Sequence, residues 1–505
     1  MGFKDSRFKL NKSVLFLVLF VILSFVFLFY MSYSMEGTAD YNDFPEIHSF
    51  DRILIIAPHA DDESVAAAGL IKRALEKNAT VEVVVMTDGS ASDNRNEFSD
   101  YLKKIKDNNS TETLPNIRHM EVLNALNKIG LNQNNVIFLG YPDGGLKSMW
   151  EDNWDSKNPY QSNNTFNKLN HSTYNFTYQP NVFYSGENVN QNLEQIMNDF
   201  HPNIILYPDS EDKHPDHWAT GNFVRYAALE TNYSGMNYTY LVHSGSKWPS
   251  PLLFTPKLSL LPPSNLDTSE QWLVFPLNQT EIDTKYKAID SYQSQLTGSC
   301  GYLKSFVRSN ELFAVDPPLK IEKINATIYS LNDTVLSPYT ILKSSDQIQD
   351  NKTDELISFH KAYNFITCEK LLSNHTTAFS SSEYLWKNNN SHADQEDNKP
   401  EVQAVLHDNQ SVYIIIEDAN TTNRDLIINY HFRIYNGKDF KRVDVMTRNG
   451  HAKYLYTANN SIIPNKSPEI EYVDNKIVLK LPVDVFHDFN AIMMGVDIMR
   501  FKTRE

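Results

Sequence analysis

Arg52–Ala57 reads RILIIA, and the next six residues, Pro58–Glu63, read PHADDE. Apolar runs rich in β-branched residues are typical of a strand that is buried on both faces of a sheet. From Ser64 to Lys77 the apolar residues return at helical spacing, so the stretch predicts a strand, a polar loop and a helix in succession. The loop therefore places one imidazole and two or three carboxylates at the carboxyl end of a strand.

The same alternation of strands and helices continues further along the chain. Strands are predicted at Thr80–Thr87, Val136–Gly140 and Asn203–Tyr207, and helices at Arg118–Ile129 and Trp218–Glu230. Alternation of this kind predicts parallel βαβ units, so the expected fold class is α/β with a Rossmann-like, doubly wound, mostly parallel sheet. Sites in such sheets form in the crevice at the carboxyl ends of the strands.

An apolar run, Val14–Met31, is interrupted only by Ser24. About 18–20 apolar residues in a helix cross the core of a bilayer, so this run predicts a transmembrane segment. Basic residues precede the run and acidic residues follow it: Lys4, Arg7, Lys9 and Lys12, then Glu36, Asp40 and Asp43. The positive-inside rule leaves the short N-terminus in the cytoplasm and the remainder outside. A cleaved signal peptide stays open as the alternative.

Changes of pattern predict the domain organisation. Residues 1–35 form a cytoplasmic tip and transmembrane signal anchor, 36–50 a linker, 51–316 the α/β domain and 317–383 a mixed linker region. Within the α/β domain, the Asn-rich segment Asp143–Asn192 shows no clear period, which predicts a long surface loop or lid over the strand ends. From 384 to 505 short strands such as Ser411–Glu417 replace helices, which predicts a β-sandwich-like domain.

Charge and cysteine content exclude several classes of protein. The chain has 46 Lys and Arg against 62 Asp and Glu, a net charge of −16, which argues against a nucleic-acid partner. Its 2 cysteines, Cys300 and Cys368, exclude a disulfide framework and a Cys-ligated zinc finger. A single disulfide between them stays open.

A second polar cluster follows the predicted strand Asn203–Tyr207. Pro208 and Asp209 end that strand, and His214–His217 (HPDH) opens the next helix. Both clusters lie at the carboxyl ends of strands, so they can converge in one crevice. Two His and one Asp form a three-ligand set that leaves a position for water, as in catalytic zinc sites, and imidazole ligands favour zinc or iron over magnesium. The alternatives are that the Asp residues are helix N-caps and that His214 is an exposed loop residue.

At these residues the chain resembles the N-acetylglucosaminyl-phosphatidylinositol de-N-acetylases and LmbE-like deacetylases, the PIG-L/LmbE-like family. That family carries an A/P-H-P-D-D-E motif after its first strand and an H-x-D-H motif further on, which match Pro58–Glu63 and His214–His217; Ala60 replaces the usual proline. The resemblance runs from about residue 52 to 313. Further similarity lies in Arg118-x-x-Glu121, in Tyr141–Gly144 and in Lys287 through Gln295.

The resemblance implies a role for each motif residue. His59, Asp62 and His217 are expected to hold the metal, and Asp61 to act as the general base. His214 is expected to stabilise the oxyanion or to protonate the leaving amine, with Asp216 orienting it. Arg118 and Asp143 are expected to contact the substrate, with an ordinary surface salt bridge as the alternative.

The sequence thus predicts a single-pass, membrane-anchored, extracytoplasmic N-deacetylase that uses Zn²⁺, with Fe²⁺ as the alternative metal. Its expected partner is an amino-sugar glycan or glycolipid substrate, with the membrane contacted through the N-terminal helix. Two other interpretations stay open. One is a non-catalytic cell-surface carbohydrate-binding protein on the same fold, and the other is an amidase that acts on another N-acyl compound.

Overall fold

The fold is described from a computed structural model of the chain. Two units are distinguished, Met1–Asn42 and Asp43–Glu505. The structure describes residues 20, 24, 41–91, 113–164, 167–245, 248–264, 266, 271–296, 300–316, 319–320, 322–323, 358–361, 401–407, 410–417, 426–435, 440–448, 450–455, 467–473, 476–486 and 491–500. The predicted membrane segment lies outside these residues except for Phe20 and Ser24, and so does Cys368. None of the helices in the described part is long and apolar enough to cross a membrane.

A sheet of eight described strands forms the centre of the α/β region. Its members are β1 (Asn42–Asp43), β2 (Arg52–Ala57), β3 (Thr80–Thr87), β4 (Val136–Tyr141), β5 (Ile204–Pro208), β6 (Met236–Tyr240), β7 (Trp272–Pro276) and β8 (Asn310–Val315). They lie in the order β1-β7-β8-β6-β5-β2-β3-β4. Strands β6, β5, β2, β3 and β4 pair in parallel, and β8 is antiparallel to both β6 and β7. The prediction of a mixed α/β fold with a mostly parallel sheet is confirmed.

Helices cover this sheet in two groups. They are α1 (Asp62–Glu76), α2 (Leu114–Ile129), α3 (Leu146–Glu151), α4 (Gly186–Phe200), α5 (Pro215–Glu230), α6 (Gln279–Ile289), α7 (Gln293–Leu296) and α8 (Cys300–Lys304). Helices α1, α2 and α6 pack against one another, as do α3, α4 and α5. Every residue of β2 from Ile53 to Ala57 is buried. Because side chains alternate between the faces of a strand, both faces of the sheet are covered there.

The order of the strands reverses at β2. From β2 the chain proceeds to β3 and β4 on one side, and β5 and β6 then pair on the other. In register, Ile53 lies between Val81 of β3 and Ile204 of β5. The loops after β2 and β5 consequently leave the sheet in opposite directions and open a crevice at the carboxyl ends of the strands.

The segment Asp143–Asn192 differs from the predicted loop. It contains α3 and the first turns of α4, and many of its residues are buried. In α4 the apolar residues Val189, Leu193 and Met197 recur at helical spacing. The Asn residues among them are weak helix formers and obscured this period, whereas tertiary packing outweighs their low propensity. The predicted long surface loop or lid is therefore wrong for residues 146–151 and 186–192, which are helical, whereas the described residues from 152 to 185 form a loop without a helix or an extended strand.

Two further sheets make up the described part of the C-terminal region. Their strands are β9 (Leu319–Lys320), β10 (Glu322–Lys323), β11 (Ser358–Lys361), β12 (Glu401–His407), β13 (Ser411–Glu417), β14 (Leu426–Tyr435), β15 (Phe440–Arg448), β16 (His451–Leu455), β17 (Glu469–Val473), β18 (Lys476–Pro482) and β19 (Ala491–Arg500). One sheet has the order β10-β12-β13-β18-β17 and the other β16-β15-β14-β19-β11-β9. Buried residues of both, such as Ile414 and Leu479 with Tyr430 and Val445, form one apolar cluster. Strands β9, β10 and β11, from the predicted mixed linker, pair into these sheets.

Candidate active site

Three side chains from the loops after β2 and β5 meet at the crevice. His59 and Asp62 come from the PHADDE loop and the start of α1, and His217 lies in the first turn of α5. Nδ1 of His59 lies 3.2 Å from Nε2 of His217 and 3.3 Å from Oδ2 of Asp62, and that Oδ2 lies 3.1 Å from the same Nε2. The three donor atoms therefore form a nearly equilateral triangle.

The size of this triangle fits a zinc ion. Four ligands at tetrahedral positions about 2.0–2.1 Å from zinc lie about 3.3–3.4 Å from one another. All three side chains are buried, and two nitrogens with one carboxylate oxygen are a donor set that zinc and iron accept. Two neighbouring histidines are further candidate ligands of the metal. His214 lies with His59 and His217 at distances suited to a metal, and His243 lies with Asp62 and His217 at such distances.

Carboxylates hold the far nitrogens of both imidazoles. Nδ1 of His217 lies 3.1 Å from Oδ2 of Asp212. Nε2 of His59 lies 3.3 Å from Oδ1 of Asp143 and 3.3 Å from Oδ2 of Asp216. Contacts of this kind fix the orientation and tautomer of a metal-binding histidine and increase its basicity.

The electrostatics of the cluster favour positive charge. Burial disfavours a charged imidazole, but Asp212 and Asp62 outweigh burial and raise the pKa of His217 to about 9. At His59 burial is likewise outweighed, chiefly by Asp143, and the pKa is raised well above its ordinary value. Conversely, His217 and His59 overcome the effect of burial on Asp62 and hold its pKa well below the usual range. The site thus stabilises protons or a metal cation at the same atoms.

Asp61 is not one of the three donors of this triangle; its carboxylate pairs with Arg118. Its φ of 110° lies in the left-handed region that disfavours residues other than glycine. Asp61 is the N-cap residue of α1, but its side chain forms no capping hydrogen bond to that helix. Nη2 of Arg118 donates to Oδ2 of Asp61 at 3.2 Å and to the carbonyl of Ala60 at 2.5 Å. Burial, with Asp62 and Glu63, raises the pKa of Asp61 to about 8 against the opposing charge of Arg118.

Arg118 and Asp143, the predicted substrate contacts, are both buried beside these groups. Nη1 of Arg118 lies 3.9 Å from Oδ2 of Asp143, and that oxygen accepts the backbone N–H of Ala91 at 3.0 Å. The alternative of an ordinary surface salt bridge is wrong, since neither side chain is at the surface. A substrate contact by either residue stays a prediction.

Comparison with known proteins adds the family. Residues 54–228 match the family described as "PIG-L: GlcNAc-PI de-N-acetylase". This stretch is a PIG-L family domain. A curated relative, the "Probable N-acetyl-alpha-D-glucosaminyl L-malate deacetylase 2" of Bacillus subtilis (strain 168), is 27% identical over 176 residues, which are 34% of this chain and 59% of the relative. The chain thus spans about three fifths of the length of that relative.

Solved structures of similar proteins match about half of the chain. One is the A40926 pseudoaglycone deacetylase Dbv21, with 18% identity, a TM-score of 0.34, and coverage of 52% of this chain and 96% of that one. Another is the N,N'-diacetylchitobiose deacetylase from Pyrococcus horikoshii, with 18% identity, a TM-score of 0.31, and coverage of 52% and 82%.

Within the PIG-L domain, His214 and Asp216 lie at the N-terminus of α5. His214 is the N-cap residue, and its Nδ1 accepts the backbone N–H of Asp216 at 3.2 Å. Burial, with the nearby imidazoles of His59 and His217, holds the pKa of His214 well below its ordinary value. With Nδ1 as acceptor, a neutral His214 carries its proton on Nε2.

The contact between Asp216 and His214 runs through the backbone. The carboxylate of Asp216 instead accepts the N–H groups of Gly144 and Leu146, at 2.6 and 3.0 Å, and faces His59. It thereby ties the loop after β4 to the start of α5. The expectation that Asp216 orients His214 holds only for its N–H group.

Sequence reasoning missed three residues of the site. Asp212 precedes His217 by five positions in the same loop, and the need of a metal-binding histidine for a carboxylate partner was the signal that could have found it. His243 follows β6, and its ring centroid lies 4.8 Å from that of His217. The hydroxyl of Tyr302 lies 3.3 Å from Nδ1 of His243. His243 and Tyr302 lie beyond residue 228, outside the matched PIG-L domain, and no local motif marks them.

Proposed function

We propose that this protein is a metal-dependent N-deacetylase that removes the acetyl group from an N-acetylated amino sugar. The observation that carries the proposal is the triangle of His59 Nδ1, Asp62 Oδ2 and His217 Nε2, with the buried carboxylate of Asp61 beside it. The membership of residues 54–228 in the PIG-L family supports it. The printed name of the Bacillus subtilis relative, a deacetylase of an N-acetylglucosaminyl compound, supports the substrate class.

His59, Asp62 and His217 would hold the metal, with Zn²⁺ favoured and Fe²⁺ as the alternative. When bound, the ion supplies Lewis-acid polarisation of the acetyl carbonyl and lowers the pKa of the attacking water. Asp212 and the pair Asp143 and Asp216 keep the two imidazoles oriented through their far nitrogens.

The remaining side chains move protons and stabilise charge. Asp61 accepts the proton of the attacking water and passes it to the leaving amine. Burial raises the pKa of Asp61 and so increases its affinity for that proton. Arg118 holds the carboxylate of Asp61 in place through Nη2. His214, neutral and protonated at Nε2, donates a hydrogen bond to the carbonyl oxygen as negative charge develops there.

We further propose, from the N-terminal sequence, that this activity lies outside the cytoplasm. The apolar run Val14–Met31 and the basic residues before it support a single-pass anchor with the catalytic region outside the cytoplasm. The substrate there would be a glycan or glycolipid that carries an N-acetylated amino sugar.

Acetate release tests the proposal directly. The full-length protein in detergent would be stripped with a chelator, reloaded with Zn²⁺ or Fe²⁺, and incubated with a panel of N-acetylglucosamine glycosides, oligosaccharides and glycolipids. We expect acetate and a free amine from at least one compound only after reloading. Stoichiometric metal binding without acetate from any N-acetyl sugar would contradict the proposal. Glycan binding without hydrolysis would then favour a carbohydrate-binding protein, and hydrolysis of other N-acyl compounds an amidase.

A further inference from the structure

Three consecutive apolar side chains are exposed on the loop that follows β6. Leu252, Leu253 and Phe254, which we term the apolar tip, are 37%, 62% and 49% exposed. Exposed apolar residues are common singly, but a contiguous group marks an interaction surface.

The loop that carries the apolar tip is held firmly on both sides. Nη2 of Arg308 donates to the carbonyl of Pro251 at 2.6 Å, directly before the tip. After the tip, the side chain of Asn310 exchanges two hydrogen bonds with the backbone of Leu260, at 2.7 and 3.0 Å. Nε1 of Trp248 also donates to the carbonyl of Leu261. The exposure is therefore a fixed feature of the surface.

The apolar tip lies next to the candidate active site. A Cβ placed on Gly301 would lie 3.2 Å from the carbonyl oxygen of Leu252, so the tip contacts the start of α8. The following residue, Tyr302, stacks on His243 with ring centroids 5.8 Å apart. His243 in turn lies beside His217. The tip therefore contacts Gly301, and the next residue, Tyr302, packs on His243 beside the candidate metal ligands.

The segment 231–266 differs in charge from the whole chain, and beside it the ring of Phe254 packs on Tyr286, near the ion pair of Lys304 with Asp290. No Asp or Glu occurs between Glu230 and Asp267, whereas Lys247 and Lys257 do. Lys257 is exposed, three residues after the tip. In a chain of net charge −16, an acid-free apolar loop with lysines is complementary to a surface that is apolar inside and anionic outside. The surface of an anionic lipid bilayer has that composition.

We propose that the apolar tip docks on an anionic lipid bilayer, with Leu253 and Phe254 inserted among the lipids and Lys257 at the headgroups. Docking in this way holds the site beside His243 against the membrane surface. The lysine adds attraction that salt weakens.

Depth-dependent quenching in the full-length protein tests this surface independently of any enzymatic activity. Leu253→Cys would be labelled with an environment-sensitive fluorophore in a Cys300→Ser/Cys368→Ser background and reconstituted into vesicles of phosphatidylcholine with phosphatidylglycerol. The matched control is Phe183→Cys, since Phe183 is 48% exposed elsewhere on the α/β region. The added lipid carries a spin label near its headgroup. Thermal unfolding midpoints would confirm that each labelled variant is folded.

We expect the label at 253 to shift to the blue and to lose most of its emission, and the label at 183 to keep it. Lys257→Glu should reduce the quenching at 253, and Lys157→Glu, an exposed lysine distant in sequence, should not. Equal quenching at both positions, or none at 253, would overturn the proposal. A blue shift at 253 that depends on protein concentration without lipid would also overturn it, because the occupant would then be a second copy of the chain.

Discussion

Oδ2 of Asp212 lies 3.1 Å from Nδ1 of His217, and it also accepts the backbone N–H groups of Val242 and His243. One carboxylate oxygen thus joins the imidazole at the start of α5 to the loop after β6. Those two N–H groups fix the carboxylate, and the carboxylate fixes the imidazole. Burial opposes the charge, but His217 and His243 outweigh it and lower the pKa of Asp212 to about 2.

Asp212→Asn should weaken metal binding by about 10–100-fold, because the amide cannot supply the negative charge that supports His217. Competition with a fluorescent zinc chelator measures the affinity. Asp209→Asn is the matched control: Asp209 is a buried carboxylate three positions earlier, and it accepts from Thr239 and from the backbone of Glu211. An unchanged affinity in Asp212→Asn, or an equal loss in both variants, would contradict the assigned role.

Asp61→Asn should lower kcat by about 10²–10⁴-fold and leave the metal content unchanged, because the amide cannot accept a proton while the three donor atoms stay in place. Acetate release and elemental analysis of the same preparation measure both quantities. A rate near that of the wild type would show that Asp61 is not the general base.

His217→Ala should lose the metal together with the activity, because His59 and Asp62 alone leave two protein donors for zinc. Elemental analysis after gel filtration measures the metal retained. Full retention in this variant would mean that other donors hold the ion, and His243 would be the first to examine because it lies in reach of Asp62.

Gly89→Ala should reduce kcat on the order of 10–100-fold without loss of metal. A Cβ at Gly89 would lie 2.6 Å from Cδ of Arg118, so it displaces the guanidinium that holds Asp61. Gly130→Ala is the control, because Gly130 also has a positive φ but its nearest neighbour would be 3.8 Å away. Both variants place a Cβ at a positive φ, +66° at Gly89 and +107° at Gly130. A similar rate in both would show that the position of Arg118 is not limiting.

Glu194→Gln should change the dependence of stability on pH. Burial and the neighbouring carboxyl group of Glu230 raise the pKa of Glu194 from 4.5 to about 8. The folded state thus holds this proton more tightly than the unfolded state. Its contribution to the free energy of unfolding is fully present below about pH 4.5 and is lost as the pH rises through about 8.

The Gln variant stays neutral at this position, so its unfolding midpoint should match that of the wild type near pH 5 and exceed it near pH 9. Thermal unfolding in matched buffers measures the difference. Asp199→Asn, an exposed carboxylate on the same helix, is the control. A difference in unfolding midpoint between wild type and Glu194→Gln that stays constant across this pH range would contradict the raised pKa of Glu194.

The sequence predicted those parts of the fold that local pattern determines. Strands Arg52–Ala57 and Thr80–Thr87 have the bounds that the apolar runs indicated, because a strand that is buried on both faces is mainly apolar. Strands β7 and β8 were not predicted. Strand β8 pairs antiparallel with β6 and with β7, and no local period encodes these pairings.

The same distinction applies to the candidate site. His59, Asp61 and His217 stand in motifs, so the resemblance found them. Asp212 and His243 act through contacts between loops of different strands. The pairing of Arg118 with Asp61 could not be predicted from the sequence either. The side chain of Arg118 reaches Asp61 because α2 packs beside α1.

His59 and His217 are 158 positions apart, yet β2 and β5 on which they depend are adjacent in the sheet. A nascent chain that has been translated through α4 therefore contains only the two donors from the PHADDE loop. The third arrives when β5 has inserted next to β2 and α5 has started. Contacts between such distant positions form late in folding. Under the proposed function, metal uptake would then require β5 to pair with β2 during biosynthesis, and chains that stall before β5 would be left without the ion.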